Sequence, residues 1–134
     1  MGRIKVMVEK PPYDQSEDLD DDLIGGIIGA PGEPDSDLFA EILRTFIEDN
    51  RSKIPLVEVC AENGDREGME SLFHYVGGAA GNIGLKRFAA ACSFLEDRVQ
   101  ETEDPALPGL AHSMVEEYRR SMEAVQKRFP DIEA

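Results

Sequence analysis

Two histidines are the residues of this chain best suited to nucleophilic or acid–base chemistry, and one of them has unusual surroundings. His74 lies in the stretch Leu72-Phe-His-Tyr-Val-Gly-Gly-Ala-Ala-Gly81. Met69, Leu72, Phe73, Val76, Ala80 and Ile83 recur at helical spacing, which predicts a helix whose core face excludes His74. On the histidine's own side, the positions three, four and seven residues further on are Gly77, Gly78 and Gly81. A glycine inside a helix costs about 0.5–1 kcal/mol relative to alanine, so the three together cost about 2–3 kcal/mol. A helix face in water does not require that. Bare backbone leaves room for a bulky group on the imidazole or for a partner's backbone, or it lets a second helix pack closely. His112, in Ala111-His-Ser-Met114, has no such setting and reads as an ordinary boundary residue.

Other chemistries find little support. Cys60 and Cys92 are the only cysteines, too few for a disulfide scaffold or an all-cysteine zinc site. Gly77-Gly-Ala-Ala-Gly81 has no following Lys-Ser/Thr pair and no preceding strand pattern, which argues against a phosphate-binding loop and against direct use of ATP. No metal or cofactor is assigned to the chain. With 134 residues and a net charge of −14, it is suited neither to a phosphate backbone nor to an anionic lipid surface. No apolar run approaches the ~20 residues of a membrane span, and the N-terminus lacks a signal-peptide core. The expected location is the cytoplasm.

The elements that must position His74 form a helical body behind an acidic arm. Residues 1–35 hold four of the eight prolines and the run Asp14-Gln-Ser-Glu-Asp-Leu-Asp-Asp-Asp22. Such a stretch buries too little apolar surface to offset its ordering entropy. Leu23, Ile24, Ile27 and Ile28 nonetheless suit a short helix, weakened by Gly25 and Gly26. The arm is therefore expected to be partly disordered or short-helical, laid against the body.

From residue 36 onward, helical stripes follow one another. Asp35, Ser36 and Asp37 offer N-caps for the stripe Leu38, Phe39, Ile42, Leu43, Phe46 and Ile47. Pro55 interrupts that element or opens a new one. Asn63-Gly-Asp65 reads as a stop and restart before the His74 helix, and Gly84 as its C-terminal cap. Further stripes run through Leu85, Phe88, Cys92, Leu95 and Val99, then through Leu110, Met114, Tyr118, Met122, Val125 and Phe129. No segment alternates with period two. Short connections favour antiparallel neighbours, hence an all-α, antiparallel four-helix bundle over residues 36–134.

The residues now carry a resemblance. The stretch from Leu72 to Phe88 resembles the signature of histidine-containing phosphotransfer (HPt) domains: a histidine, two residues, Lys or Arg, glycine, then small residues, with glycine or alanine opening the next helix. Cys92 followed by Leu95-Glu96, and the preceding Phe46, Glu48, Asp49 and Asn63-Gly-Asp65, are also similar, so the resemblance covers about residues 36–126.

It implies a phosphocarrier rather than an ATP-using kinase, taking a phosphoryl group from a receiver-domain aspartate and passing it to another receiver. His74 matches the acceptor, Gly78 the glycine that clears space for the phosphate, and Ala79 and Ala80 the small positions. The implied partners are response-regulator receiver domains or a hybrid histidine kinase, with Mg²⁺ on the receiver and this chain a monomer.

One departure stands out: the usual Lys or Arg is Gly77 here. A hairpin turning near Gly84 brings residues around 91–98 beside His74 at ~1.5 Å per residue, so Arg98 can reach toward it while Lys86 and Arg87 lie nearer the turn; Arg87 and Arg98 are the candidates to supply the charge. Gly77→Lys is expected to be accommodated and to prolong phosphorylation. The alternatives are a receiver-binding module with weak or no transfer, and an unrelated helical adaptor.

Overall fold

The computed structural model describes residues 11–28 and 36–130. Every regular element among them is helical. A 3₁₀ turn (Pro12–Gln15) precedes α1 (Asp21–Ile28), α2 (Ser36–Asn50), α3 (Lys53–Glu62), α4 (Arg66–Asn82), α5 (Lys86–Arg98), a 3₁₀ turn (Asp104–Ala106) and α6 (Leu107–Arg128). The fold is thus an all-α helical bundle.

Chain turns sit where the residue types require them. α3 ends at Gly64, whose φ of +68° suits glycine, and the Asp65 amide donates to the Cys60 carbonyl at 2.8 Å. Asp65 then opens α4, its carboxylate accepting from the Gly68 amide at 2.9 Å. α4 closes in the same way at Gly84 (φ +91°), with the Leu85 amide donating to the Ala80 carbonyl at 3.0 Å. Pro55 lies in the first turn of α3, where its missing N–H leaves no bond unmade, so the stretch around it forms two helices.

α4 and α5 form an antiparallel hairpin. Gln100 pairs with Glu70, Glu96 with His74, Cys92 lies against Gly77, and Ala89 against Gly81. The core behind them holds Phe39, Leu43, Val57, Met69, Phe73, Val76, Leu85, Phe88, Leu107 and Met114, all fully buried. Leu38, Leu56 and Val59 remain exposed despite their apolar character.

Residues 11–28 of the acidic arm are more ordered than their composition suggests, and the reason is specific pairing. Among the described residues, Tyr13, Leu19 and Ile24 are buried, and the latter two join the main core. Ile24 covers Gly84, where any added Cβ would lie 2.6 Å from the Ile24 side chain. Asp14 meets Arg87, Asp18 meets Arg120, and Asp21 meets Arg128. Attraction to arginines on α5 and α6 replaces the self-repulsion expected of an isolated acidic run. Residues 1–10 and 29–35, including the expected arm boundary at 35, lie outside the described residues.

Candidate phosphoacceptor site

His74 stands mid-way along α4, on the side turned from the core. Phe73 and Val76 anchor the helix inward with no exposed surface, so the intervening step of about 100° per residue carries His74 outward. Its side chain is 79% exposed. Across the hairpin, Glu96 on α5 places Oε1 3.3 Å from His74 Nδ1. An ionised carboxylate only accepts, so this contact suits a hydrogen on Nδ1.

A hollow of about 230 Å³ opens beside the imidazole, lined by Phe73, His74, Gly77, Gly78, Ala89, Ser93 and Glu96. The three glycines have different jobs. Gly78 is exposed, and a Cβ there would meet nothing within 4 Å. Gly77 is buried, and its Cβ would fall 2.6 Å from that of Cys92. Real carbon atoms do not approach so closely without displacement, so Gly77 is what lets α4 and α5 close upon one another. A Gly81 Cβ would lie 3.5 Å from Ala89, an ordinary contact. Open space therefore lies over Gly78, and helix packing rests on Gly77. The expectation that Gly77→Lys is accommodated is corrected on this ground. Burial pushes the Cys92 thiol pKa well up, so Cys92 acts there as a neutral packing group.

Neither candidate cation lines the hollow. Arg87 is buried on the opposite flank of α5. Its Nε donates to Glu117 at 2.7 Å, its terminal nitrogens reach Glu117 at 3.1 Å and Asp14 at 3.2 Å, and its guanidinium lies 5.5 Å from the Tyr13 ring centroid. Hydrogen bonds to Glu117 outweigh desolvation and raise its pKa, so it is a fixed, fully committed charge. Arg98 stacks 4.4 Å from the Phe94 ring centroid and faces Glu101 at 3.6 Å. The charged group that reaches His74 is Glu96, of the opposite sign to the one sought. The pairs 70/100, 74/96 and 81/89 all centre on Leu85, one residue beyond the glycine turn, so Glu96 falls within the span 91–98 that the sequence places beside His74.

Next to His74, Tyr75 is 57% exposed, with Lys53 Nζ 5.1 Å above its ring centroid. Leu56, one turn along α3 from Lys53, is also exposed. On its other side Tyr75 borders a groove with Leu38, Ile42, Phe46, Ala79 and Ile83. Tyr75, Leu56 and Leu38 are thus exposed apolar side chains near this end of the site. Ile24, by contrast, is consumed in the core, and the side chains of Ile27 and Ile28 lie outside the described residues. His112 is exposed on α6 and does not line the hollow.

Comparison with protein families returns one match, the Hpt domain, over residues 41–128. The chain belongs to the Hpt domain family. No curated protein and no solved structure gave a match. An Hpt domain implies histidine phosphotransfer in phosphorelay signalling, and domains of this family interact with receiver domains and histidine kinases. His74 and Glu96 both fall inside the matched span, whereas the described arm, 11–28, precedes it. Among the described residues no helix is long and apolar enough to cross a membrane.

Proposed function

We propose that this Hpt domain is a phosphorelay intermediate, with His74 the residue that takes a phosphoryl group from one receiver aspartate and yields it to another. The observation that carries the reading is the His74–Glu96 pair: an exposed imidazole whose inner nitrogen is occupied by a carboxylate and whose outer nitrogen is free. Nε2 attacks phosphorus, the bond from phosphorus to the aspartyl oxygen breaks, and the carboxylate leaves with that electron pair. The ring gains positive charge as the N–P bond forms, and Glu96 lies where it offsets that charge. The receiver contributes Mg²⁺ and in-line alignment; this chain contributes a held tautomer and an open approach over Gly78. Tyr75, Leu56 and Leu38 supply the apolar margin against which a receiver docks. The monomeric state and cytoplasmic location expected from the sequence belong to the same reading.

A second reading has one observation in its favour. None of the side chains lining the hollow is cationic. A chain that binds receivers without efficient transfer would have that property. Mixing a phosphorylated receiver with the wild type and with His74→Ala separates the two. The phosphorelay reading predicts an acid-labile, alkali-stable phosphoryl group on the wild type alone. Receiver binding with no label on either protein would overturn it in favour of the docking module.

A further inference from the structure

We infer that the groove between α2 and α4 is a binding site for an elongated apolar molecule that carries one ammonium group. The inference goes beyond the phosphocarrier reading and stands apart from it.

Three observations lead to it. First, the groove has the size and walls of a small-molecule site. It holds about 440 Å³ between Leu38, Ile42 and Phe46 of α2 and Tyr75, Ala79 and Ile83 of α4. Contiguous apolar area left open to water is unfavourable and marks a contact surface. Second, the groove is negatively charged. Glu41 and Asp49 also line it, eight residues and thus about 12 Å apart along α2. Neither carboxylate makes a hydrogen bond or ion pair among the described residues. Arg44, Arg51 and Lys86 are exposed and do not line the groove. Lys53 stands beside it, 5.1 Å from the Tyr75 ring centroid, with its ammonium donating to the Asp49 carbonyl at 2.7 Å. Two carboxylates against that ammonium leave one net negative charge around the groove. Third, Asn50 lines the groove while only 1% exposed. Its Nδ2 donates to the Phe46 carbonyl at 2.8 Å, and its Oδ1 has no partner.

These features together select the ligand. An alkyl or aryl body covers the apolar walls. An ammonium brings a positive charge to Glu41 and Asp49 and carries N–H donors. A buried acceptor without a partner is costly, so a donor entering from the groove gains by satisfying Asn50. A carboxylate or phosphate head group would instead meet Glu41 and Asp49 as like charges and bring no donor. Tyr75 follows His74 in the chain, so an occupant of the groove lies beside the phosphoacceptor face.

The test uses the full chain and three probes that share one alkyl chain and differ in head group: octylamine, octanol and octanoate. Each is titrated at pH 7, where the amine is protonated, and below micelle-forming concentrations. Methyl NMR follows Ile42, Ala79 and Ile83 and gives each affinity. One net negative charge about 6 Å away in high dielectric separates an ammonium from a carboxylate by about tenfold. We expect shifts centred on those methyls, with octylamine binding about tenfold more tightly than octanoate and octanol between them. Glu41→Gln/Asp49→Asn should abolish that order. Glu103→Gln/Glu123→Gln removes the same charge away from the groove and should keep it. Circular dichroism checks that both variants fold, and the comparison of probes on the wild type needs neither. Equal affinities of the three probes, shifts centred elsewhere, no binding of octylamine, or the same order in Glu41→Gln/Asp49→Asn would each overturn the inference. Phosphoryl acceptance by His74 is measured separately, so none of these outcomes bears on the phosphocarrier reading.

Discussion

α5 carries two charged clusters, and they are built on opposite principles. At its N-terminal end, Arg87 is buried with two carboxylates and an aromatic ring around it, every direction filled. Nearer its C-terminal end, Glu96 meets a single partner, His74, whose ring is mostly in solvent. The first cluster is saturated and holds the acidic arm to the bundle. The second is left one partner short on the side where a ligand would arrive. A charge that is satisfied from all sides fixes structure; one that is satisfied from a single side remains free to bias chemistry. Arg87, one of the two arginines the sequence offers to a phosphoryl group, is therefore found where it holds helices and arm together.

The contrast can be broken from its structural end. Arg87→Met removes the guanidinium that faces Glu117 and Asp14 in a largely buried setting. Breaking such a pair costs about 3 kcal/mol. Urea denaturation should show a loss of that size, with increased protease cleavage in residues 11–20. A loss below ~0.5 kcal/mol would mean that the cluster is decoration.

Gly77 comes next in size. Gly77→Lys must separate α4 from α5 or displace Cys92, a cost of about 1–3 kcal/mol for overpacking. Thermal denaturation should report it, and an unchanged midpoint would refute the packing role assigned to Gly77. Gly78→Gln tests the other glycine. It meets open space, so stability and helicity should hold within about 1 kcal/mol while phosphoryl acceptance falls sharply. Undiminished transfer would remove Gly78 from the approach path. The smallest change is expected at Gly81→Ala, where an ordinary contact with Ala89 and better helix propensity should stabilise by about 0.5–1 kcal/mol. Destabilisation there would show that the hairpin is tighter than its contacts indicate.

These substitutions also mark what the sequence makes legible. The stripes through Phe39, Phe73, Phe88 and Met114 lead directly to the core, because burial follows helical period. Gly64 and Gly84 announce their turns, because a positive φ leaves few other residue types. That His74 lies on an exposed, bare face is legible from its neighbours. The division of labour among its glycines is not, since spacing records that a face is bare but not which helix lies against it. Charge misleads most. A search for a cation within reach of residue 74 finds Arg87 and Arg98 and passes over Glu96, the residue at the matching hairpin position. The arm shows the same limitation: its acidic run looks unfavourable in isolation, and only the fold brings Arg87, Arg120 and Arg128 to meet it.

The central claim is that Glu96 holds hydrogen on Nδ1 and leaves Nε2 to take the phosphoryl group. Nitrogen-15 and phosphorus-31 NMR of the full chain, before and after phosphoramidate loading, tests it most directly. The account predicts the Nδ1–H tautomer in the free protein, lost as the dominant form in Glu96→Ala, and phosphorus coupled to Nε2 of His74 after loading. Hydrogen on Nε2 in the free protein, or phosphorus on Nδ1 after loading, would contradict it.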